Sequence, residues 1–573
     1  MTAAVQTIWT ELLVGTLIDA GVATCVISPG SRSTPLVAAL AQHEIARPTI
    51  IDERAAAFYA LGVARATNQL VALVCTSGSA AAHYYPAIVE ASMAGVPLLA
   101  ITSDRPPELQ HCGASQTIDQ IGMYGGFVRA AYDVGAPAGS EAALAALRRT
   151  VLQAIASARG PRPGPVQLEV PLRKPLEPAA PSSDDDRALA RAARSLRKPV
   201  RVAVPALVAD AGAVEALAAR IAGEPRGVIV AGALPTRFAR ESAHALAVAT
   251  GYPLLAEASS QLRFGSSASL SIDHFDLILA AKLAPAPAIV IRIGAEPVAA
   301  AWQGAFRDAE HWQLCDAGWL DPDSRAAQVL AGDVAMTLAA LARPIAARER
   351  SFADAWLAAD RRAAGAIEIA AAAHPRNEGD AVRAAIGSTP PRTLVQLGNS
   401  LPIRIVDLVC PHDLGDRRVI SQRGAAGIDG LVASAIGATA AGPVTLVVGD
   451  VSFAHDVGSL ALARHAAAPL AIVVIDNAGG HIFDALPIAS HVPADTFARH
   501  WLTAPELDPV AIARAFGVAA IRAESPSAIA AAVAEAHAGG PRVTVIHAPV
   551  SPTGARDLRA TAIATLNLKQ DPS

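Results

Sequence analysis

Short runs of apolar residues, four to six long, recur along the chain and are separated by longer alanine-rich stretches. The runs Thr24–Ile27, Val71–Cys75, Pro97–Thr102, Gly227–Val230, Ala288–Ile293, Thr393–Leu397, Val444–Val448 and Leu470–Ile475 are rich in Val, Ile and Leu. They show no polar–apolar alternation, so both faces of each strand are expected to be covered. Strands spaced by helical stretches predict βαβ units and parallel sheets flanked by helices. Ligands on such sheets collect beyond the carboxyl ends of the strands, where helix N-termini aim their N–H groups. Chemistry is therefore to be sought in the loops that follow these runs.

Two breaks divide the pattern. Pro175–Asp186 (PLEPAAPSSDDD) has linker composition, and a softer break lies at His374–Gly379 (HPRNEG). The expected segments are 1–175, 187–350 and 375–565, each long enough for an α/β domain. The chain has 573 residues, a hydrophobic fraction of 52% and a net charge of -4. Disorder is excluded as the main state, and the lack of basic excess argues against a nucleic-acid partner. No run reaches the roughly 18 apolar residues of a spanning helix, and Met1–Ala20 lacks a secretory pattern. The five cysteines (Cys25, Cys75, Cys112, Cys315 and Cys410) form no C-x-x-C pair. A cytoplasmic location is expected.

The loops carry candidate groups, each with a plain structural alternative. In Ile27–Pro35 (ISPGSRSTP), Ser31, Ser33 or Thr34 can cap a helix with Pro35 near its start. Arg32 there is also placed to grip a carboxylate or phosphate. In Ile51–Arg54 (IDER), Asp52 and Glu53 suit a helix N-terminus; alternatively Glu53 faces inward, with a raised pKa, toward a ligand nitrogen. The Thr76-Ser77-Gly78-Ser79 turn after Val71–Cys75 either binds an anion or simply joins strand to helix. Arg105 and Gln116 lie in polar loops. Arg404 follows Ser400 by four residues, so a helix beginning there puts them on one face. Gly424, Gly427 and Gly430 within Ser421–Gly430 (SQRGAAGIDG) call for a close backbone approach, to a cofactor or a neighbouring subunit. The most specific pattern is Gly449-Asp450 after one run and Asn477 after the next. Their 27-residue separation is one strand–helix–strand unit and brings both oxygens to one sheet edge. Such hard ligands suit Mg²⁺.

Gly449-Asp450 followed by Asn477 resembles the thiamine-diphosphate motif. Val451 and Asp476 depart from its usual Gly-Asp-Gly and Asn-Asn ends. With SPGSRSTP, DER, TSG, SDRPPEL, GNSLPIR, RGAAGIDG and GGHIF in that order, the chain resembles one family of these enzymes from about residue 10 to 550. That family is the 2-succinyl-5-enolpyruvyl-6-hydroxy-3-cyclohexene-1-carboxylate (SEPHCHC) synthases of menaquinone biosynthesis. The resemblance implies a pyrimidine-binding domain, a central domain and a diphosphate-binding domain, in a homodimer or homotetramer with active sites between subunits. The implied reaction is a transfer in which 2-oxoglutarate loses carbon dioxide and the resulting succinyl-semialdehyde carbanion adds to isochorismate in a Stetter-like step. Implied cofactors are thiamine diphosphate and Mg²⁺ or Mn²⁺.

By the same resemblance, Glu53 meets the aminopyrimidine N1′. Thr76, Gly78, Gly449, Asp450 and Asn477 contact the cofactor, and Ile428 keeps it bent. Asp450, Asn477 and the Gly479 carbonyl hold the metal. Ser31, Arg32, Arg105, Gln116, Ser400, Arg404 and Arg423 meet the substrates, with Arg32 and Arg404 also catalytic. Ile482, Phe483 and Leu486 form an apolar wall. Some members carry a lysine in the stretch matching Gly294–Trp302, and this chain has none there. The rival reading is another thiamine-dependent 2-oxoacid carboligase or decarboxylase; the arginine set, suited to dicarboxylates, favours the synthase.

Overall fold

The computed structural model describes residues 3–265, 270–316, 318–342 and 350–568. Among them are three sheets in which every strand pair is parallel. The first contains β1 (Cys25–Ile27), β2 (Val71–Cys75), β3 (Leu98–Asp104), β4 (Ala131–Asp133) and β5 (Val166–Pro171), ordered β1-β2-β3-β5-β4. The second contains β6 (Gly227–Ala231), β7 (Leu254–Ala256), β8 (Ser271–Ile272), β9 (Ile289–Ile293), β10 (Glu310–Cys315) and β11 (Ala326–Ala331), ordered β11-β10-β9-β6-β7-β8. The third contains β12 (Leu394–Leu397), β13 (Val419–Ser421), β14 (Val444–Gly449), β15 (Leu470–Asp476), β16 (Ala519–Arg522) and β17 (Val543–Pro549), ordered β13-β12-β14-β15-β17-β16. The predicted parallel, helix-flanked architecture is thus present, and each of the eight apolar runs overlaps a strand. β2, β14 and β15 are buried along nearly their whole lengths, as double coverage requires.

By compactness the chain forms two units. One comprises the residues up to Pro205 together with Gln422–Ala441, and the other Ala206–Ser421 together with the residues from Gly442 onward. In the first unit, Pro175–Asp186 leads into a helix, Asp184–Leu196. That helix opens with a reciprocal cap in which Ser183 and Asp186 each bind the other's backbone N–H. Its Leu189, Ala190 and Ala193 join the core that surrounds the first sheet.

The segment Gln422–Ala441 belongs to the first unit because its helix, Leu431–Ala438, crosses the helix Glu53–Thr67 at glycines on both partners. A Cβ on Gly62 would lie 2.0 Å from the Ser434 carbonyl oxygen, and one on Gly437 would lie 2.1 Å from the Tyr59 carbonyl oxygen. Backbone meets backbone, so no side-chain rotation can relieve the clash. Gly62→Ala is therefore expected to force the helices apart and lower stability by about 1–3 kcal/mol. Thermal unfolding followed by circular dichroism measures this, and an unchanged midpoint would remove the crossing as the tie for this segment.

Candidate functional site

In the second unit, hydrophobic β14 and β15 run side by side, with Gly449 opposite Ile475. Their polar residues are thereby driven to one carboxyl edge. Gly449, Asp450, Asn477 and Gly479 line one cavity there, joined by Asn399 and Ser400 from the loop after β12. The expectation that Asp450 and Asn477 share a sheet edge is met. Ser400 has φ +69° and directly precedes the helix Leu401–Val409. Arg404 Nη1 donates back to the Ser400 carbonyl at 2.7 Å, so the arginine is held against the backbone of the residue before its helix.

The cavity is acidic. Asp450 accepts from the backbone N–H groups of Val451 and Gly479, yet burial pushes its carboxyl up to about 6. Its Oδ2 is buried without a hydrogen-bond partner. Asn477 Nδ2 donates to Glu378 Oε1 at 2.6 Å. Glu378 is itself 2% exposed, and burial pushes it up to about 7. With the Asn477 amide nitrogen donating to Glu378, as an ionised carboxylate requires, the amide oxygen is what Asn477 offers the cavity. Asp476 Oδ2 accepts from His547 Nε2 at 2.8 Å and its Oδ1 from the Ala478 N–H at 3.0 Å. The His547 bond foremost holds Asp476 below the usual carboxylate range. An orphaned carboxylate oxygen, an amide oxygen and loop carbonyls are hard donors that fit a small divalent cation. No group of three His, Cys, Asp or Glu suited to a metal exists among the described residues, and this set does not need one.

Sequence reasoning missed Glu378. It stands in HPRNEG, read as a domain break, but Asn377 caps the helix Glu378–Ser388 there. The signal was the cap itself, an Asn followed by two acids within one turn. Asn399, 3% exposed, was likewise passed over inside GNSLPIR. Ile482 and Phe483 are half-buried in the turn His481–Ala485, while Leu486 is 47% exposed.

In the first unit, Ser31, Arg32, Thr76, Gly78, Arg105 and Gln116 gather beyond the carboxyl ends of β1, β2 and β3. The Arg32 N–H donates to Thr76 Oγ1 (3.2 Å), and its buried guanidinium donates to the Leu172 carbonyl (2.6 Å). The hydroxyls of Ser33 and Thr34 do not cap the following helix. They donate instead to the carbonyls of Gly30 and Ser31, fixing the loop that carries Arg32. Arg105 donates to Ser77 Oγ (2.8 Å) and to the Ser115 carbonyl (3.0 Å). Gln116 Nε2 donates to the Ser77 carbonyl (3.0 Å), and the Gly78 N–H donates to Gln120 Oε1 (2.6 Å). Glu53 is half-buried at the first position of its helix, with Asp52 as the cap. It lies near enough to Cys75, at the end of β2, to add to the rise that burial imposes on that thiol.

The glycine-rich stretch with Arg423 and Ile428 approaches its own unit, which is an alternative to the cofactor or neighbour expected. The N–H groups of Gly424 and Ala425 donate to Glu90 at 3.0 and 2.6 Å, and Glu90 pairs with Arg65. Gly430, at φ +66°, lies where a Cβ would meet the Phe58 ring at 1.9 Å.

Behind Arg32 and Arg105 lies a buried polar cluster that sequence reasoning did not identify. Thr102 and Asp104 on β3 share a face with Gln167 and Glu169 on β5. Glu169 accepts from Thr102, from Gln120 Nε2 (3.0 Å) and from Gln167 Nε2 (3.2 Å). Burial first, then the neighbouring Asp104, pushes Glu169 up to about 8. The folded state thus keeps a proton that the unfolded chain releases above about pH 4.5. Stability from this group is complete at acid pH and declines as pH rises toward 8. Glu169→Gln is expected to flatten that decline between about pH 4.5 and pH 8. Equal slopes of unfolding midpoint against pH in both proteins would show that Glu169 is ionised when folded.

Comparisons with known proteins bear on both halves. Residues 9–123 match the model of the thiamine pyrophosphate enzyme N-terminal TPP binding domain, and residues 411–548 match that of the C-terminal TPP binding domain. The fold is shared with benzoylformate decarboxylase from Polynucleobacter necessarius (TM-score 0.73, 18% identity, 95% of this chain and 98% of that one). It is shared too with a putative thiamin diphosphate-dependent enzyme from Mycobacterium smegmatis (TM-score 0.70, 20% identity, covering 95% and 99%). The two domain matches make the chain a thiamine-diphosphate-dependent enzyme. Among curated relatives, the 2-succinyl-5-enolpyruvyl-6-hydroxy-3-cyclohexene-1-carboxylate synthase of Sorangium cellulosum is 40% identical over 79% of this chain and 78% of its own length. That of Myxococcus xanthus is 39% identical over 94% of each. The chain belongs to this SEPHCHC synthase family.

Proposed function

We propose that this protein catalyses the family's reaction, decarboxylating 2-oxoglutarate on thiamine diphosphate and joining the remaining four-carbon unit to isochorismate in menaquinone biosynthesis. The observation that carries the reading is the Asp450–Asn477 edge. It is a buried acidic cavity without an internal cation, on the strands where the diphosphate-binding half of the family lies. Asp450, Asn477 and the Gly479 carbonyl hold Mg²⁺ or Mn²⁺ against the diphosphate. The start of the helix Leu401–Val409 lends N–H groups to the same anion. Thiamine diphosphate supplies the electron sink for loss of carbon dioxide.

The chain's own residues do the rest. Glu53 holds a proton at the aminopyrimidine N1′, a role for a carboxyl half-sheltered from water. Thr76 and Gly78 shape the pocket for that ring, and Ile428 supports the bend between rings, a positional contribution. Ile482, Phe483 and Leu486 keep water from the reacting carbon. Both substrates are dicarboxylates, and Arg32, Arg105, Arg404 and Arg423, with Ser31, Gln116 and Ser400, supply the fixed donors they require. Of these, Arg32 and Arg404 act nearest the reacting atoms. Acid and metal site come from different protomers of a homodimer or homotetramer. The expected domains are 1–175 for the pyrimidine, 187–350 as a central domain, and 375–565 for the diphosphate. The site of action is the cytoplasm; no described helix is long and apolar enough to cross a membrane.

Purified protein given thiamine diphosphate, Mg²⁺, 2-oxoglutarate and isochorismate is expected to release carbon dioxide and consume isochorismate in equal amounts. Turnover of 2-oxoglutarate with no isochorismate consumption would favour the rival carboligase or decarboxylase. Glu53→Gln is expected to retain cofactor binding while losing at least about 10²-fold in kcat, in the range for a lost acid–base group. Near-normal kcat in that variant would remove Glu53 from the proton path.

A further inference from the structure

We propose that Glu378 is a positioning residue for the metal site, taking the amide nitrogen of Asn477 so that the amide oxygen is presented to the cation. The inference rests on the metal-site reading above and deepens it. An asparagine offers a cation only its oxygen, yet its two ends have nearly the same shape. Half a turn about the last side-chain bond replaces the ligand with an N–H₂ group, which repels a cation. Something must therefore define the orientation.

Glu378 is suited to that task. Its Oε1 accepts from Asn477 Nδ2 at 2.6 Å. At 2% exposure the carboxyl has little water to satisfy it. It also stands on backbone that is held from several sides. Asn377 Oδ1 accepts from the Asp380 N–H at 2.8 Å, while its Nδ2 donates to the His374 carbonyl (2.9 Å) and to Asp380 (2.8 Å). A Cβ on Gly554 would lie 2.9 Å from the Asn377 Cα, and one on Gly379 would lie 2.7 Å from Leu558. The turn that carries Glu378 is thus wedged against the helix Gly554–Leu568. On the other side of Asn477, Asp476 is fixed by His547 and the Ala478 N–H. Neighbours that orient a ligand in this way tune metal affinity without touching the metal.

The test is titration of the full-length protein with Mn²⁺ in the presence of thiamine diphosphate, reading free Mn²⁺ by electron paramagnetic resonance. Glu378→Leu is expected to weaken Mn²⁺ binding by about 10–100-fold. Glu378→Gln, which keeps an oxygen acceptor and loses the charge, is expected to stay near wild type. In an Asn477→Ala background, adding Glu378→Leu is expected to change nothing further, because Glu378 acts through Asn477. The proposal is overturned if Glu378→Leu binds like wild type. It is equally overturned if Glu378→Gln is as weak as Glu378→Leu, or if Glu378→Leu weakens the Asn477→Ala protein further, since both results assign the effect to charge. If Glu378→Leu does not fold, Glu378→Asp carries the test: withdrawing the carboxylate by one methylene should weaken Mn²⁺ binding, and wild-type affinity would overturn the proposal. Asp450→Ala separates the two levels. Undiminished Mn²⁺ binding in that variant would refute the metal site itself, whereas its loss alongside intact binding in the Glu378 variants would refute only the positioning role.

Discussion

A carboxylate buried without a cation is the constraint on which the second unit's site depends. β14 is a buried, largely apolar strand with no charged residue along its length, and Asp450 sits at the first position beyond it and remains buried. Removing such a group from water carries a penalty of several kcal/mol unless a partner compensates. Two backbone N–H groups compensate part of it, and the raised pKa records the remainder. Arg404, the cation one helical turn beyond Ser400, is turned back to the Ser400 carbonyl. On the proposed reading, a positive ion and an anionic ligand bound together at this edge would recover the stability given up there.

The first unit solves the opposite problem. Arg32 and Arg105 are cations held by neutral carbonyl and hydroxyl acceptors rather than by ionised partners. The carboxyls behind them, Asp104 and Glu169, are both pushed upward by burial. Glu169, pushed up to about 8, keeps its proton at neutral pH and so forms no internal ion pair with either guanidinium. The crossing at Gly62 and Gly437 then brings the stretch with Arg423 and Ile428 into the same unit as Glu53. The stretch is tied to that unit by this backbone crossing and by the Gly424 and Ala425 N–H groups on Glu90.

Eight of the seventeen described strands were legible because doubly covered parallel strands are apolar runs, a signal that needs no partner information. β4, β8, β11 and β16 are short or partly exposed edge strands and carry no such run. Asp450 and Asn477 were legible because one βαβ unit fixes their separation. Glu378 was not, since it reaches Asn477 across 99 residues and its own neighbourhood reads as a helix start. Glu169 was hidden for a related reason. It lies within a strand whose pattern, VQLEVP, mixes polar and apolar positions, and only the pairing with β3 shows that Gln167 and Glu169 face Thr102 and Asp104.

The two departures from the thiamine motif have a physical account in the same terms. Where the motif has glycine, this chain has Val451, whose recorded contribution at Asp450 is a backbone N–H that valine supplies equally well. Where the motif has a first asparagine, Asp476 accepts from His547 and from the Ala478 N–H. Both bonds call for an acceptor, and a carboxylate meets them better than an amide with only one oxygen. Neither departure falls on an atom assigned to the cation. The motif is kept where a hard oxygen must face the cavity, and it drifts where the backbone or a neighbouring histidine does the work.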